Sequence, residues 1–141
     1  MRVTRTARRP SAAWRLAQFR YLLRQFLRFS EKAARAAGLT PQQHQLMLGV
    51  AEFTGRGWAT ISELAEFLQE RHNAVVGLVA RAERKKLVRK VIVSEDRRYV
   101  RVELTATGRK ILRKLVALHR VELARFQNRA GFLRAPERKL G

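Results

Sequence analysis

Cysteine is absent from this chain, which excludes disulfides, thiolate metal sites and a cysteine-based oxidant sensor. Acids are scarce: 11 Asp and Glu stand against 31 Lys and Arg, a formal charge of +20. An imbalance that large exceeds an ordinary solvated surface and implies a polyanionic partner. Long apolar runs are missing too, and none approaches the ~20 residues that span a bilayer. Arginines interrupt the stretch from Trp14 to Phe29, so the basic N-terminus does not read as a cleavable signal segment. The expectation is a cytoplasmic protein with no membrane partner. Internal repeats and low-complexity tracts are lacking, and 141 residues suit a single modest core.

Catalytic patterns are equally sparse. No nucleophile stands beside a partnered base, and the glycines form neither a phosphate loop nor a dinucleotide fingerprint. His44, His72 and His119 fall on three different predicted elements with no shared ligand spacing, which argues against a metal site. The reading is a non-enzyme without cofactors.

What is present is organised by charge. Residues 1–40 carry +9, residues 41–70 carry −3, residues 71–105 carry +6 and residues 106–141 carry +8. Residues 1–10 read as a disordered basic arm. Residues 11–38 predict one amphipathic helix, with Leu16, Phe19, Leu22, Leu23, Phe26, Leu27 and Phe29 on one arc and Arg20, Arg24, Arg28, Lys32 and Arg35 opposite. Like charges four residues apart weaken a helix, so this apolar arc must be well buried. So many large side chains suggest a subunit interface.

Two capping boxes mark the next helix starts. Thr40-Pro41-Gln42-Gln43 opens a helix reaching about Phe53, and Gly55-Arg56-Gly57 ends it. Thr60-Ile61-Ser62-Glu63 opens a short helix with Leu64 and Leu68 inward. A further helix from about Asn73 to Lys86 buries Val75, Leu78, Val79 and Ala82, and presents Asn73, Gly77, Ala80 and Arg84, flanked by Val76 and Arg81. Residues 87–105 then read as a hairpin. Val91 and Val93 alternate with polar neighbours before the charged tip Ser94-Glu95-Asp96-Arg97-Arg98, as Val100, Val102 and Leu104 do after it. Such a tip does little for stability but suits a phosphate backbone or a minor groove.

Thr105 caps a last long helix carrying Leu112, Leu115, Val116, Leu123 and Phe126 on one side, with Phe132 and Leu133 in the tail as docking residues for a partner. The fold class expected is mainly α with a small β-hairpin wing, a winged helix-turn-helix spanning residues 39–104. Dimerisation helices flank it at 11–38 and in 105–141. The candidate DNA-contacting residues are Arg71, His72, Asn73, Val76, Gly77, Arg81, Arg84, Arg97 and Arg98. Asn73 could pair an adenine edge, and Arg71 or Arg81 a guanine or a phosphate.

In these features the chain resembles the MarR family of bacterial transcriptional regulators over roughly residues 14–126. The most specific element is the wing signature: an Asp, any residue, an Arg, five residues, then Leu-Thr, here Asp96, Arg98 and Leu104-Thr105. Supporting matches are Leu39-Thr40, Ile61-Ser62-Glu63-Leu64-Ala65, and Gly77-Leu78-Val79 followed by Leu87-Val88. The resemblance implies a homodimer with intertwined N- and C-terminal helices, and two winged domains reading a pseudo-palindromic operator in double-stranded DNA. It also implies release from DNA by a small aromatic or phenolic ligand. It assigns Arg98 to the minor groove and Asp96 to a salt bridge that orients the wing. The chain departs from the family pattern at Arg71-His72-Asn73-Ala74, at Ala80-Arg81, and at Lys86, where a glycine usually ends the helix.

The function expected is a dimeric, ligand-responsive, sequence-specific regulator, a repressor by this reading. The alternatives are a sequence-tolerant architectural or nucleoid protein, favoured by the charge and by Gly77 and Ala80, and a protein-interaction module. His119, centred on the last helix's apolar face, is either a hydrogen-bonded packing residue or an effector-binding or pH-sensing contact.

Overall fold

The computed structural model describes residues 11–93 and 99–134. Three chain reversals organise it. Helix α1 (Ala12–Ala36) starts where the Ser11 hydroxyl accepts the Trp14 N–H at 3.1 Å, and stops at Gly38. There the Leu39 N–H returns to the Ala34 carbonyl and the Gly38 N–H to Arg35, with Gly38 at φ 80°. This is a Schellman ending on the residue type that adopts it without strain.

Helices α3 (Ile61–Leu68) and α4 (His72–Arg84) end with the same pair of bonds, but the left-handed position holds Gln69 at φ 52° and Lys86 at φ 61°. A side chain there is disfavoured by Cβ sterics. The expected glycine is absent and the motif forms regardless.

Both capping boxes form. Thr40 accepts from the Gln43 N–H at 3.1 Å and opens α2 (Pro41–Leu48), while Thr60 accepts from Glu63 at 3.2 Å and opens α3. The predicted continuation of α2 to Phe53 is present with a change of pitch, since Gly49–Phe53 is a π-helical turn. Gly49 permits the close approach of α3, because a Cβ there would run into the Phe67 ring.

The hairpin strands β2 (Val88–Ile92) and β3 (Val100–Leu104) pair antiparallel from Val88 opposite Leu104 to Ile92 opposite Val100. The two-residue strand β1 (Trp58–Ala59) adds to the other edge of β3 and makes the sheet three-stranded, in order β1-β3-β2. The guanidiniums of Arg56 and Arg101 both lie over its Trp58 ring, 3.8 and 4.1 Å from the centroid. Helix α5 (Ala106–Arg129) follows, its Thr105 hydroxyl accepting the Gly108 N–H at 3.0 Å and donating to the Lys86 carbonyl at 2.6 Å. Only glycine fits at 108, where a Cβ would overlap the Leu87 carbonyl.

The chain divides into two compact units, Ser30–Leu118 and the residues on either side of it, so the boundary falls inside both α1 and α5. The winged unit has a continuous core including Leu46, Met47, Val50, Leu64, Val75, Val79, Val102 and Leu115. The terminal unit is a set of ring contacts: Trp14 on Phe132 at 5.2 Å, Phe19 and Phe26 on Phe126 at 6.4 and 5.8 Å, and Phe26 and Phe29 on His119 at 6.0 and 5.3 Å. Arg15 fastens the tail by donating to the carbonyls of Phe132 and Leu133 at 3.1 and 2.7 Å. Phe132 therefore docks on its own chain, where the sequence suggested a partner. Among the described residues no helix is long and apolar enough to cross a membrane.

Candidate nucleic-acid interface

Helix α4 is held by one stripe and shown by the other. Val75, Leu78, Val79 and Ala82 are buried, the stripe expected from spacing alone. On the remaining face Arg71, His72, Asn73, Val76, Arg81 and Arg84 are exposed and Gly77 and Ala80 partly so. Arg71 sits in extended backbone at the N-cap, which places His72 and Asn73 in the first turn. Val76 leaves 43% of its surface open among these polar neighbours. Gly77 has a specific consequence: an added Cβ would come within 3.3 Å of Arg81 Nη1, so the Arg81 side chain lies back along the helix over the glycine.

Depressions flank α4 on both sides. A groove of about 630 Å³ is lined by Thr60, Ile61 and Ser62 from the start of α3, His72 and Val76 from α4, and Lys90, Tyr99 and Val100 from the hairpin. A smaller one of about 200 Å³ runs past Gln42, Glu70, Asn73, Gly77 and Arg81. A helix standing proud between two grooves suits a major groove ~12 Å wide, which admits one α-helix.

The sequence-predicted residues Arg71, His72, Asn73, Val76, Gly77 and Arg81 thus share one surface, with Arg84 a further turn along α4. Arg97, Arg98 and Asp96 lie outside the described residues. Sequence reading missed Thr60, Ser62, Lys90 and Tyr99 as groove-lining residues. The first two were visible as capping-box residues, and nothing local said that the start of α3 would face the hairpin. Lys90 is tied to α4, its Nζ 3.7 Å from Glu83 and its backbone N–H donating to the same carboxylate at 3.1 Å.

Glu70 lines the smaller groove, while three other acids near the site are ion-paired: Glu63, Glu83 and Glu103. Desolvation pushes the Glu63 carboxyl up, but the Thr60 backbone N–H, the Arg56 guanidinium and the Thr60 hydroxyl outweigh it and hold it below the usual carboxylate range. Arg56 Nη2 reaches one of its oxygens at 2.7 Å. Arg89 pairs with Glu103 at 3.0 Å on the neighbouring strand. Among the described residues no three His, Asp or Glu side chains are grouped to hold a metal. His119 lies in the terminal unit, between the edges of two phenylalanine rings.

Residues 37–98 match the MarR family model. Over this segment, which holds most of the winged domain, the chain is similar to the MarR family. No curated protein matches the sequence. Among solved structures the chain is similar to AbsC, a MarR family transcriptional regulator from Streptomyces coelicolor, at 23% identity and a TM-score of 0.67, covering 85% of this chain and 82% of AbsC. It is similar to a MarR family protein from Bacillus stearothermophilus at 24% identity and TM-score 0.69, covering 80% and 76%. A MepR point variant from Staphylococcus aureus, solved bound to an oligodeoxyribonucleotide, matches at 19% identity and TM-score 0.64, covering 80% and 81%. These likenesses extend the MarR-type fold past the matched segment into the helices on either side.

Proposed function

We propose that this chain is a DNA-binding transcriptional regulator that acts as a homodimer. The observation that carries the reading is the exposed face of α4, from Arg71 to Arg84, standing between two grooves while its opposite stripe is wholly buried. In this proposal α4 enters the major groove, Asn73 and Arg81 contact base edges, and Arg71, His72 and Arg84 contact phosphates or flanking bases. Thr60, Ser62 and Lys90 border the path of the backbone. Arg97 and Arg98 take the minor groove, with Asp96 orienting the tip. The DNA-bound MepR variant supports the general arrangement.

Homodimerisation is supported by apolar surface that the chain leaves open: Leu16 and Leu27 on α1, and Val116, Val121 and Leu123 on α5. A dimer presents two α4 helices, so its site is a pseudo-palindrome. Repression, and release by a small aromatic or phenolic ligand, complete the proposal on the strength of the family resemblance. His119 is proposed as a packing residue, since two rings already flank it.

Selecting bound sequences from a random duplex pool tests the reading. The expected outcome is an enriched site bound at least ~10³-fold more tightly than random DNA. The small residues Gly77 and Ala80 at the middle of the exposed face favour a second reading, sequence-tolerant architectural binding. That reading predicts no enrichment and a ratio near one.

A further inference from the structure

A second cationic surface lies at the far end of the winged unit. Lys86, Arg109, Lys110, Arg113 and Lys114 are all exposed, and the backbone brings them together. The Lys86 carbonyl accepts the Thr105 hydroxyl at the N-cap of α5, and Gly108 presses the first turn of α5 against Leu87. Gly108, Leu112 and Leu115 face the core, so the four cations of residues 109–114 fall on the outward side of α5 within about 8 Å of helix axis.

Three independent features make this arrangement unfavourable for the isolated fold. Arg109 with Arg113, and Lys110 with Lys114, are like charges at four-residue spacing. Arg109 lies in the first turn of a helix that has no acid there, where the macrodipole opposes positive charge, and Lys110 lies just beyond it. Lys86 holds a left-handed conformation that glycine would adopt more easily. Three other cations of the winged unit are paired with acids, Arg56 with Glu63, Arg89 with Glu103 and Lys90 with Glu83. Among the described residues no acid pairs with Lys86, Lys110, Arg113 or Lys114.

The patch lies toward the other end of α4 from that groove. The groove meets α4 at His72 and Val76 and the hairpin at Lys90, Tyr99 and Val100. Lys86 follows the last turn of α4, about 15 Å along its axis from Val76. Thr105 follows the base of the hairpin, about 13 Å from Val100 by strand rise.

We propose that Lys86, Lys110, Arg113 and Lys114 form a second, sequence-tolerant site for the sugar-phosphate backbone of another DNA duplex, so that a regulator seated on its operator holds a second segment. The residues interleaved with these cations on the outward face are Ala106 and Thr107, with Ala117 and the exposed Val116 and Leu118 a turn further on. Residues 106–114 include none of the aromatic side chains that anchor the centre of a protein interface. Phosphates are met by charge alone. The inference rests on the DNA-binding reading above.

The test compares the full-length chain with a quadruple variant, Lys86→Gln, Lys110→Gln, Arg113→Gln and Lys114→Gln. Each protein is loaded on a bead-bound duplex carrying the selected operator, then offered a labelled duplex of unrelated sequence. The original chain should retain the labelled duplex, and the variant at least fivefold less, while operator affinity changes less than twofold. Equal retention by the two proteins overturns the proposal, as does a tenfold fall in operator affinity, which would make the patch part of the first interface. Retention of labelled poly-glutamate in place of the duplex overturns it in favour of an acidic protein partner. Binding of the operator without retention of the second duplex defeats this inference alone, whereas binding of neither defeats the DNA-binding reading as well.

Discussion

The winged unit and the terminal unit treat their apolar residues in opposite ways. In the winged unit the stripes of α2, α3, α4 and β3 converge, and Leu46, Met47, Val50, Leu64, Val75 and Val79 lose all contact with solvent. In the terminal unit Leu22 is the one apolar residue buried among those described, while Leu16, Tyr21, Leu27, Val121 and Leu123 stay open. Both segments are rich in large apolar side chains, so composition does not separate them. Topology does: four helices and a sheet enclose a core, whereas helix ends joined by edge-on rings leave one side of each helix uncovered. The first arrangement is complete within one chain. The second leaves apolar surface open, which the proposed homodimer would cover.

The sharpest way to break this contrast is to cut the same kind of side chain in each unit. Leu64→Ala removes a fully buried residue from the winged core and should lower the unfolding free energy in urea by about 2–5 kcal/mol. Leu123→Ala, at a position 55% exposed in one chain, should leave that core intact and shift the dimer–monomer equilibrium instead. A loss for Leu123→Ala that is independent of protein concentration would break the contrast.

A smaller effect sharpens it within the winged unit. Lys86→Gly relieves the left-handed lysine and should raise stability by up to about 1 kcal/mol, after allowing for the greater freedom of glycine in the unfolded chain. Thermal unfolding checks this. No gain would mean the lysine is held there without strain.

The smallest effect is pH-dependent. The folded chain holds Glu63 below the usual carboxylate range through Thr60 and Arg56, so its contribution is present above that range and is lost as pH falls through the lowered folded value. Glu63→Gln keeps a side chain able to complete the capping box but removes the charge. The variant should be slightly less stable at neutral pH and equal to the original in acid. A difference that persists unchanged into acid would show that Arg56 does not act through the carboxylate.

The winged unit was the more legible of the two in sequence, for local reasons. Capping boxes at Thr40 and Thr60, the stripe of Val75, Leu78, Val79 and Ala82, and the alternation of Val100, Val102 and Leu104 are written within one or two turns of chain. Trp58-Ala59 is too short for a period, and becomes a strand only because β3 offers it an edge. The π-helical turn at Gly49 depends on Phe67 arriving from another helix. Val93 fits the alternation but is 48% exposed, since the sheet's buried face ends before the tip. In the terminal unit, spacing shows which residues form the apolar arcs but not their partners, so nothing local to Phe132 reveals that it packs on Trp14. The candidate site was legible on α4 and not in the groove, because Thr60, Ser62, Lys90 and Tyr99 come together only through tertiary packing.

Sedimentation of the full chain beside a Val121→Glu, Leu123→Glu double variant tests the central contrast most directly. The original chain should be a dimer at micromolar concentration. The variant should be a monomer whose winged unit still unfolds cooperatively, because the two positions, 66% and 55% exposed, lie outside that unit. An original chain that sediments as a monomer at micromolar concentration would contradict the account.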